Sequence, residues 1–429
     1  MGIKNFWKIC DSLNIGKENM VLPSKPKNFT IFVDFSIIYS TYLSIICGNI
    51  QPLTLIIPRE RLKLAKHMAT LISNALKSSK AKHIYIVADS DSVMEAKLEE
   101  TIKRSKASSR SMELAYRKIL HSHVNSQHNN YFQSRSLNNK TYKSFRTGIA
   151  RLYTDKSFRS LVAKETTILL KTSLVTSIKY EAEILASALA NQLHKDRVSH
   201  KRSKSIKTLK KMYENEVEDI CIEMCGEEEC TGKCEKKIKA LYKEMKTEIK
   251  KIKKKKYECI HAVATRDTDV FVAQAPLVYM LSISKDIYNR RIFKPKLIKK
   301  AIKIYFEENN ILYTDEDDQQ YEINVSDDLI RALFIKAGCD FFPGVSRFNI
   351  KNELNKLQYC SVDLYCKEIR EFMILFDTNL IPVIDNIFTD EETGLLISYP
   401  NSPITIIPYN KLGSHTKTNN TFKKMDLEV

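Results

Sequence analysis

The sequence predicts an α/β fold: a mostly parallel central sheet flanked by helices and interrupted by a charged helical insertion. Three observations carry this reading. Short runs of β-branched and other apolar residues, such as T-I-F-V-D and H-I-Y-I-V-A-D, alternate with longer segments of helical spacing. Acidic residues stand just past those runs or at the start of an apolar-patterned helix, and the carboxyl ends of parallel strands converge on one crevice. A Lys- and Glu-rich stretch from Lys195 to Lys256, free of proline, breaks the alternation and reads as two charged helices.

The first ninety residues read as strand, helix, helix, strand. T-I-F-V-D, ending at Asp34, is a strand. Phe35 to Ile46 is an apolar helix, Arg59 to Leu76 has helical spacing, and His83 to Asp89 is the next strand. The Ser-rich basic stretch from Lys97 to Arg159 reads as helices joined by mobile loops. Its His121, His123 and His128 lack metal-site spacing and read as solvated. Ser173 to Ser177 is a short strand, and Tyr180 to His194 is a helix with Glu181 and Glu183 in its first turn, where the macrodipole favours acids. After the insertion, Cys259 to Ala264 and Leu277 to Ile283 are strands, with apolar Val270 to Ala275 between them. Lys294 to Glu308 is a basic amphipathic helix. Asp327 to Ala337 is a helix leading into G-C-D-F-F-P-G. Beyond Asn352 there are helical fragments and turns but no motif, and Asn401 to Val429 is largely polar. The expected organisation is a core begun by residues 1–194, an inserted hairpin at 195–257, the rest of the core at 258–350 and a C-terminal extension at 351–429.

The chain has 429 residues, 43% of them hydrophobic, enough for a large core. The formal charge is +18, and an excess of that size favours a nucleic-acid partner over a merely solvated surface or a membrane surface. There is no apolar run of about 18 residues, so no transmembrane span is expected. The N-terminal M-G-I-K-N-F-W-K lacks a signal-peptide core, and Phe6 stands where a myristoylation signal wants Ser or Thr. Ten cysteines without a secretory signal read as intracellular thiols.

Seven acids mark the candidate chemistry: Asp34, Asp89, Glu181, Glu183, Asp267, Asp269 and Asp340. So many carboxylates cannot share a pocket as bare anions, because like charges raise each other's pKa. Divalent cations relieve the repulsion, and Mg²⁺ prefers oxygen ligands. An acid pocket in a basic protein points to metal-dependent cutting of a polyanion. Singly, each of these acids also reads as a cap or a surface ion-pair partner. In the insertion, Cys221, Cys225, Cys230 and Cys234 form two i, i+4 pairs flanking a Gly-containing turn. Four thiolates converging there would suit tetrahedral Zn²⁺, with free thiols or paired disulfides as the alternatives.

Taken in order, M-G-I-K-N, F-V-D, the strand ending in Asp89, E-A-E, D-T-D and G-C-D resemble the flap-endonuclease (XPG-type) family of structure-specific 5′ nucleases. The wording of M-G-I-K-N and G-C-D-F-F-P-G is similar to that of poxvirus members. The resemblance covers about residues 1 to 350, the insertion excepted. It implies a PIN-like core, a helical arch over Lys97 to Arg159 that admits a single 5′ strand, and a C-terminal helical region. It implies one Mg²⁺ held by Asp89, Glu181 and Glu183, and a second held by Asp267 and Asp269 with Glu183 near both. Asp34 and Asp340 would act through metal-bound waters, and Mn²⁺ would substitute. Lys97 and Arg104, seven apart on one helix face but one position late against the family's offset, would clamp the scissile phosphate; solvated bases are the alternative. Gly2 would contact DNA. Tyr39, with Tyr42 one turn on, would stack on the base at the nick, unless it packs in the core.

The sequence departs from the family in two places. The usual Gly-x-Gly hairpin after G-C-D is missing, which puts the duplex grip in doubt, and the long cysteine hairpin has no family counterpart. No C-terminal sliding-clamp motif is found. K-K-A-I-K-I-Y-F imitates one at Lys299 to Phe306, where an ordinary amphipathic helix is expected. The resemblance implies DNA carrying a 5′ flap or junction as substrate, replication or recombination proteins as partners, and the host cytoplasm if viral, otherwise the nucleus. The rival readings are a non-catalytic DNA-binding scaffold, a junction resolvase or 5′→3′ exonuclease on the same core, and an RNA nuclease of the PIN type.

Overall fold

The computed structural model describes residues 3–15, 20–22, 24–47, 57–89, 102, 106–107, 109–117, 156–177, 180–225, 232–280, 291–339, 342–376, 387–389, 395–398 and 404–412. The strands are β1 (Thr30–Asp34), β2 (His83–Ala88), β3 (Ser173–Ser177), β4 (His261–Thr265), β5 (Val278–Met280), β6 (Ile292–Phe293), β7 (Leu312–Thr314), β8 (Gln320–Glu322), β9 (Ile387–Thr389), β10 (Leu396–Ser398) and β11 (Ile404–Pro408). Seven of them form one sheet in the order β11-β3-β2-β1-β4-β5-β6, and β7-β8 and β9-β10 are separate two-stranded ribbons.

From β3 to β5 the sheet is parallel, and β6 and β11 close its edges antiparallel. β1 and β4 are buried along their whole length. That suits the continuous apolar run of a strand covered on both faces. The order 3-2-1-4-5 reverses direction at β1, so the topological switch point lies between β1 and β4. In an open α/β sheet, ligands bind beyond the strand ends at that point. The register sets Asp34 opposite Val87 of β2 and Val33 opposite Ala264 of β4, so the three carboxyl ends lie level.

Right-handed crossovers assign the helices to two faces. Steps from β1 to β2 to β3 run one way, which puts helices Phe35–Cys47, Pro58–Lys77 and Lys156–Leu170 on one face. Arg61 joins the last two, donating to the Ser157 hydroxyl at 2.8 Å and lying over the Phe158 ring at 5.5 Å. The steps from β3 to β4 and β5 run the other way and use the opposite face. An aromatic cluster of Phe6, Trp7, Phe271, Phe293 and Phe334, with neighbouring centroids 4.5–6.3 Å apart, packs the N-terminal helix Phe6–Ser12 against helices Asp269–Val272 and Asp327–Ala337 and strand β6. Each buried ring contributes about 1.5–3 kcal/mol.

The chain divides into two compact units, Met1–Ala190 with Ile260–Val429, and Asn191–Cys259. The second consists of two charged helical arms. The helix expected to end at His194 instead runs unbroken from Ala182 to Cys225, because no Gly or Pro interrupts it. It also begins one residue after Glu181, whose carbonyl accepts the Leu185 amide at 2.9 Å, so Glu181 precedes the first turn rather than lying in it. The segment after Asn401 supplies β11, which pairs with β3 from Ile404 to Pro408. Pro408, without an N–H, is tolerated because the strand lies at an edge. The apolar stretch Val270 to Ala275 is a short helix and turn. In Lys296–Glu308, Ile298, Ile302 and Phe306 are buried, so the clamp-like string packs one face into the core. Among the described residues no helix is long and apolar enough to cross a membrane.

Candidate metal centre

The acids meet at the level carboxyl ends of β1, β2 and β4. Asp34 is the last residue of β1 and is 1% exposed. The Thr265 hydroxyl, from the end of β4, donates to Asp34 Oδ2 at 2.8 Å and accepts the Asp267 amide at 3.0 Å. One hydroxyl thus ties two acid-bearing segments together. Asp267 Oδ1 accepts the Asp269 amide at 3.2 Å, an Asx turn that folds D-T-D into the first turn of helix Asp269–Val272. Asp269 is fully buried there.

Asp89 follows β2 directly. Its Oδ1 accepts the Ala182 amide at 3.0 Å, so a carboxylate caps the positive end of the long helix. Its Oδ2 accepts a hydrogen bond from the Ser36 hydroxyl and lies 3.6 Å from Nη1 of Arg159. That cap brings Asp89 to the E-A-E segment. One carboxylate oxygen each from Asp89, Glu181 and Glu183 lies within 4.8 Å of the others, with Glu183 buried.

The electrostatics join these groups into one centre. Burial pushes the Asp34 carboxyl well above the ordinary carboxylate range, and the charges of Glu183, Asp89 and Asp267 push it further. The Thr265 hydrogen bond acts in the opposite direction. An all-oxygen donor set whose charges crowd on a buried Asp34 is chemically suited to a hard divalent cation such as Mg²⁺. The carboxylates of Asp34, Asp89, Glu181, Glu183 and Asp267 are therefore brought together, and Asp269 joins them through its amide hydrogen bond to Asp267.

Lys97, Arg104, Gly2 and Asp340 lie outside the described residues, as do Cys230, the side chain of Cys225, and His121, His123 and His128. The flanks of Asp340 are described. Cys339 donates its amide to the Phe342 carbonyl at 2.8 Å, and Lys4 joins the same segment through its amide to Gly338 O at 2.8 Å and its Nζ to Pro343 O at 2.7 Å. M-G-I-K-N and G-C-D-F-F-P-G, the two ends of the motif series, are thus in contact. Gly344, at φ +86°, has room for no Cβ: one would meet the Ala337 carbonyl oxygen at 2.8 Å.

Tyr39 is 6% exposed, with its ring against Phe35 and Phe158, so it packs in the core and does not present an open face for a base. At the cysteine hairpin, Cys234 is buried and Cys221 half-buried. Sequence reasoning missed Ser36, Thr265 and Arg159. A hydroxyl next to a strand-end acid was the available signal for the first two. Arg159 was hidden among many bases. No family model and no curated protein matches the chain.

Proposed function

We propose that the protein is a Mg²⁺-dependent, structure-specific 5′ nuclease that cuts DNA flaps or junctions by phosphodiester hydrolysis. One observation carries the proposal: five carboxylates from four separated segments converge at the switch point of a parallel sheet, with Asp34 pushed toward protonation by burial and by the charges of Glu183, Asp89 and Asp267. The ordered resemblance of the same acids to the flap-endonuclease series supplies the reaction class.

Asp89, Glu181 and Glu183 would hold one cation, and Asp267 and Asp269 a second. Bound divalent ions would polarise the phosphoryl group and lower the pKa of the attacking water. The chain's own residues supply the frame. Thr265 keeps Asp34 and the D-T-D turn in register. Ser36 and the Ala182 amide orient Asp89. Arg159 offers a guanidinium at the rim, with the planar fork that suits a phosphate. A DNA phosphate cannot approach the acids without counter-charge, which accounts for the metal requirement of the proposal. Within the hairpin, Cys221 and Cys234 with Cys225 and Cys230 would hold a structural Zn²⁺, which metal analysis of the purified chain tests by finding or failing to find stoichiometric zinc.

The test is cleavage of flap, nick, splayed-arm and four-way oligonucleotides in Mg²⁺. Wild type is expected to cut, and Asp267→Ala with Asp269→Ala is expected to bind DNA without cutting it. A double variant as active as wild type would remove these residues from the chemistry. A wild type inert with every divalent ion would favour the scaffold, and preference for RNA strands would favour a PIN-type ribonuclease.

A further inference from the structure

We infer that the open end of the charged hairpin is a second, metal-independent binding surface for the phosphate backbone of duplex DNA. It needs none of the residues of the metal centre.

The arms are Asn191–Cys225, the later part of the long helix, and Gly232–Lys254. They run antiparallel. Arg197 and Arg202 donate to the carbonyls of Glu258 and Lys255 at 2.7 and 3.1 Å. Farther along, Tyr213 is raised above its ordinary range by burial and then by the charges of Glu244 and Glu248. A half-buried seam of Ile206, Leu209, Tyr213 and Val217 on one arm and Leu241, Met245, Ile249 and Ile252 on the other recurs at steps of three and four residues, one face of each helix.

This pairing sorts the charge. Residues 195–211 carry eight bases and one acid, and residues 246–258 carry seven bases and two acids. The antiparallel register lays these two segments side by side, a net +12 at the open end. Residues 212–245, toward the turn, carry ten acids and five bases, a net −5. The lysines are exposed, Lys204, Lys207, Lys211, Lys250 and Lys254 among them.

Packing like charges on two adjacent helices is costly, since the arms lie within about one Debye length, ~10 Å, of each other. Glutamates at i, i+4 could offset it, as Glu235 does for Lys239 nearer the turn. Apart from Asp196, Glu258 and Glu248, which pairs with Lys251, the acids are instead gathered at the far end, so a net positive field is maintained, as expected where a polyanion is steered and held. The length fits duplex DNA. Residues 195–211 span about 24 Å of helix, over which a duplex presents about 14 phosphates. The one aromatic residue in these segments, Tyr257, is covered by Lys201 and Lys255, whose Nζ atoms lie 5.8 and 5.9 Å from its ring. No stacking platform is offered, so the surface grips backbone rather than unstacked bases.

The test uses the full chain in EDTA with a short blunt duplex, so that it reads binding without cutting. Changing Lys204, Lys207, Lys211, Lys250 and Lys254 to Gln should weaken binding at least tenfold. It should also flatten the slope of log affinity against log salt by up to about 4.5, at about 0.9 for each phosphate no longer neutralised. Changing Glu214, Glu216 and Glu218 to Gln should leave the slope as in wild type. Circular dichroism confirms that both variants fold. An unchanged slope in the lysine variant overturns the inference, as does an equal effect of the glutamate variant. Stronger wild-type binding to phosphatidylserine vesicles than to duplex overturns it in favour of an anionic membrane. Because no divalent ion is present, these results are independent of whether the acids cut DNA.

Discussion

Replacing Thr265 by Val tests whether a single hydroxyl holds the acid centre together. Val has nearly the same shape but cannot donate to Asp34 Oδ2 or accept the Asp267 amide, bonds of 2.8 and 3.0 Å in the folded protein. All three residues are buried, so water cannot take the hydroxyl's place. An orphaned buried donor or acceptor costs about 1–3 kcal/mol, and more where it is charged. Two such groups put the expected loss at about 2–4 kcal/mol, or about 2–4 °C in melting temperature for a chain of this size. Thr265→Ser keeps the hydroxyl and loses one methyl, about 1 kcal/mol, so it separates the hydrogen bonds from packing. The assay is thermal unfolding in EDTA followed by circular dichroism, repeated with Mg²⁺. The Thr265 bond is what lowers the Asp34 pKa, so the Val variant should also need more Mg²⁺ for the same stabilisation. A Val variant that melts with wild type, or a Ser variant as damaged as Val, would refute the bridging role.

Asp34, whose folded pKa is raised, leaves the native state holding more protons than the unfolded chain above the ordinary carboxylate range. Metal-free stability should therefore fall as pH rises toward neutrality. Asp34→Asn should be more stable than wild type at neutral pH in EDTA and should flatten that dependence; a melting temperature unmoved by pH would contradict it. Arg159→Gln removes a cation that competes for Asp89, so Mg²⁺ should stabilise the DNA-free variant at concentrations lower by up to about fivefold, equivalent to about 1 kcal/mol. Equal or weaker Mg²⁺ binding in a titration would count against that competition. Gly344→Ala places a Cβ on the Ala337 carbonyl at positive φ and should cost at least about 2 kcal/mol in chemical denaturation; a neutral result would mean that the loop rearranges freely.

Much of the fold could be read from the chain because its signals are local. T-I-F-V-D and S-L-V-T-S are strands over the residues expected, and Asp327–Ala337 is the expected helix, capped by the Ser326 hydroxyl accepting the Leu329 amide. The errors fall where local signals compete. A change from apolar to charged residues at Lys195 reads as a boundary, yet composition does not break a helix; only Gly, Pro or a cap does. Strand β11 is short, is flanked by prolines, and is stabilised by a partner strand more than two hundred residues away. The acids could be identified because strand ends announce them. Arg159 could not, because an arginine in a basic stretch is an ordinary residue until tertiary structure brings it to a carboxylate. Of the two readings of Tyr39, core packing is the one its burial supports, because the helix after Asp34 is apolar on the face it turns to Phe158.

The central pairing of β1 with β4 joins Thr30 to His261. Closing so long a loop carries an entropic cost that must be met before the contact stabilises anything, which delays the step in folding. The intervening hairpin needs only its own neighbours and can form first. A ribosome that has not yet delivered His261 holds a chain with Asp34 and Asp89 but without their most distant partners, so cation affinity should arrive abruptly, with the last of the central strands.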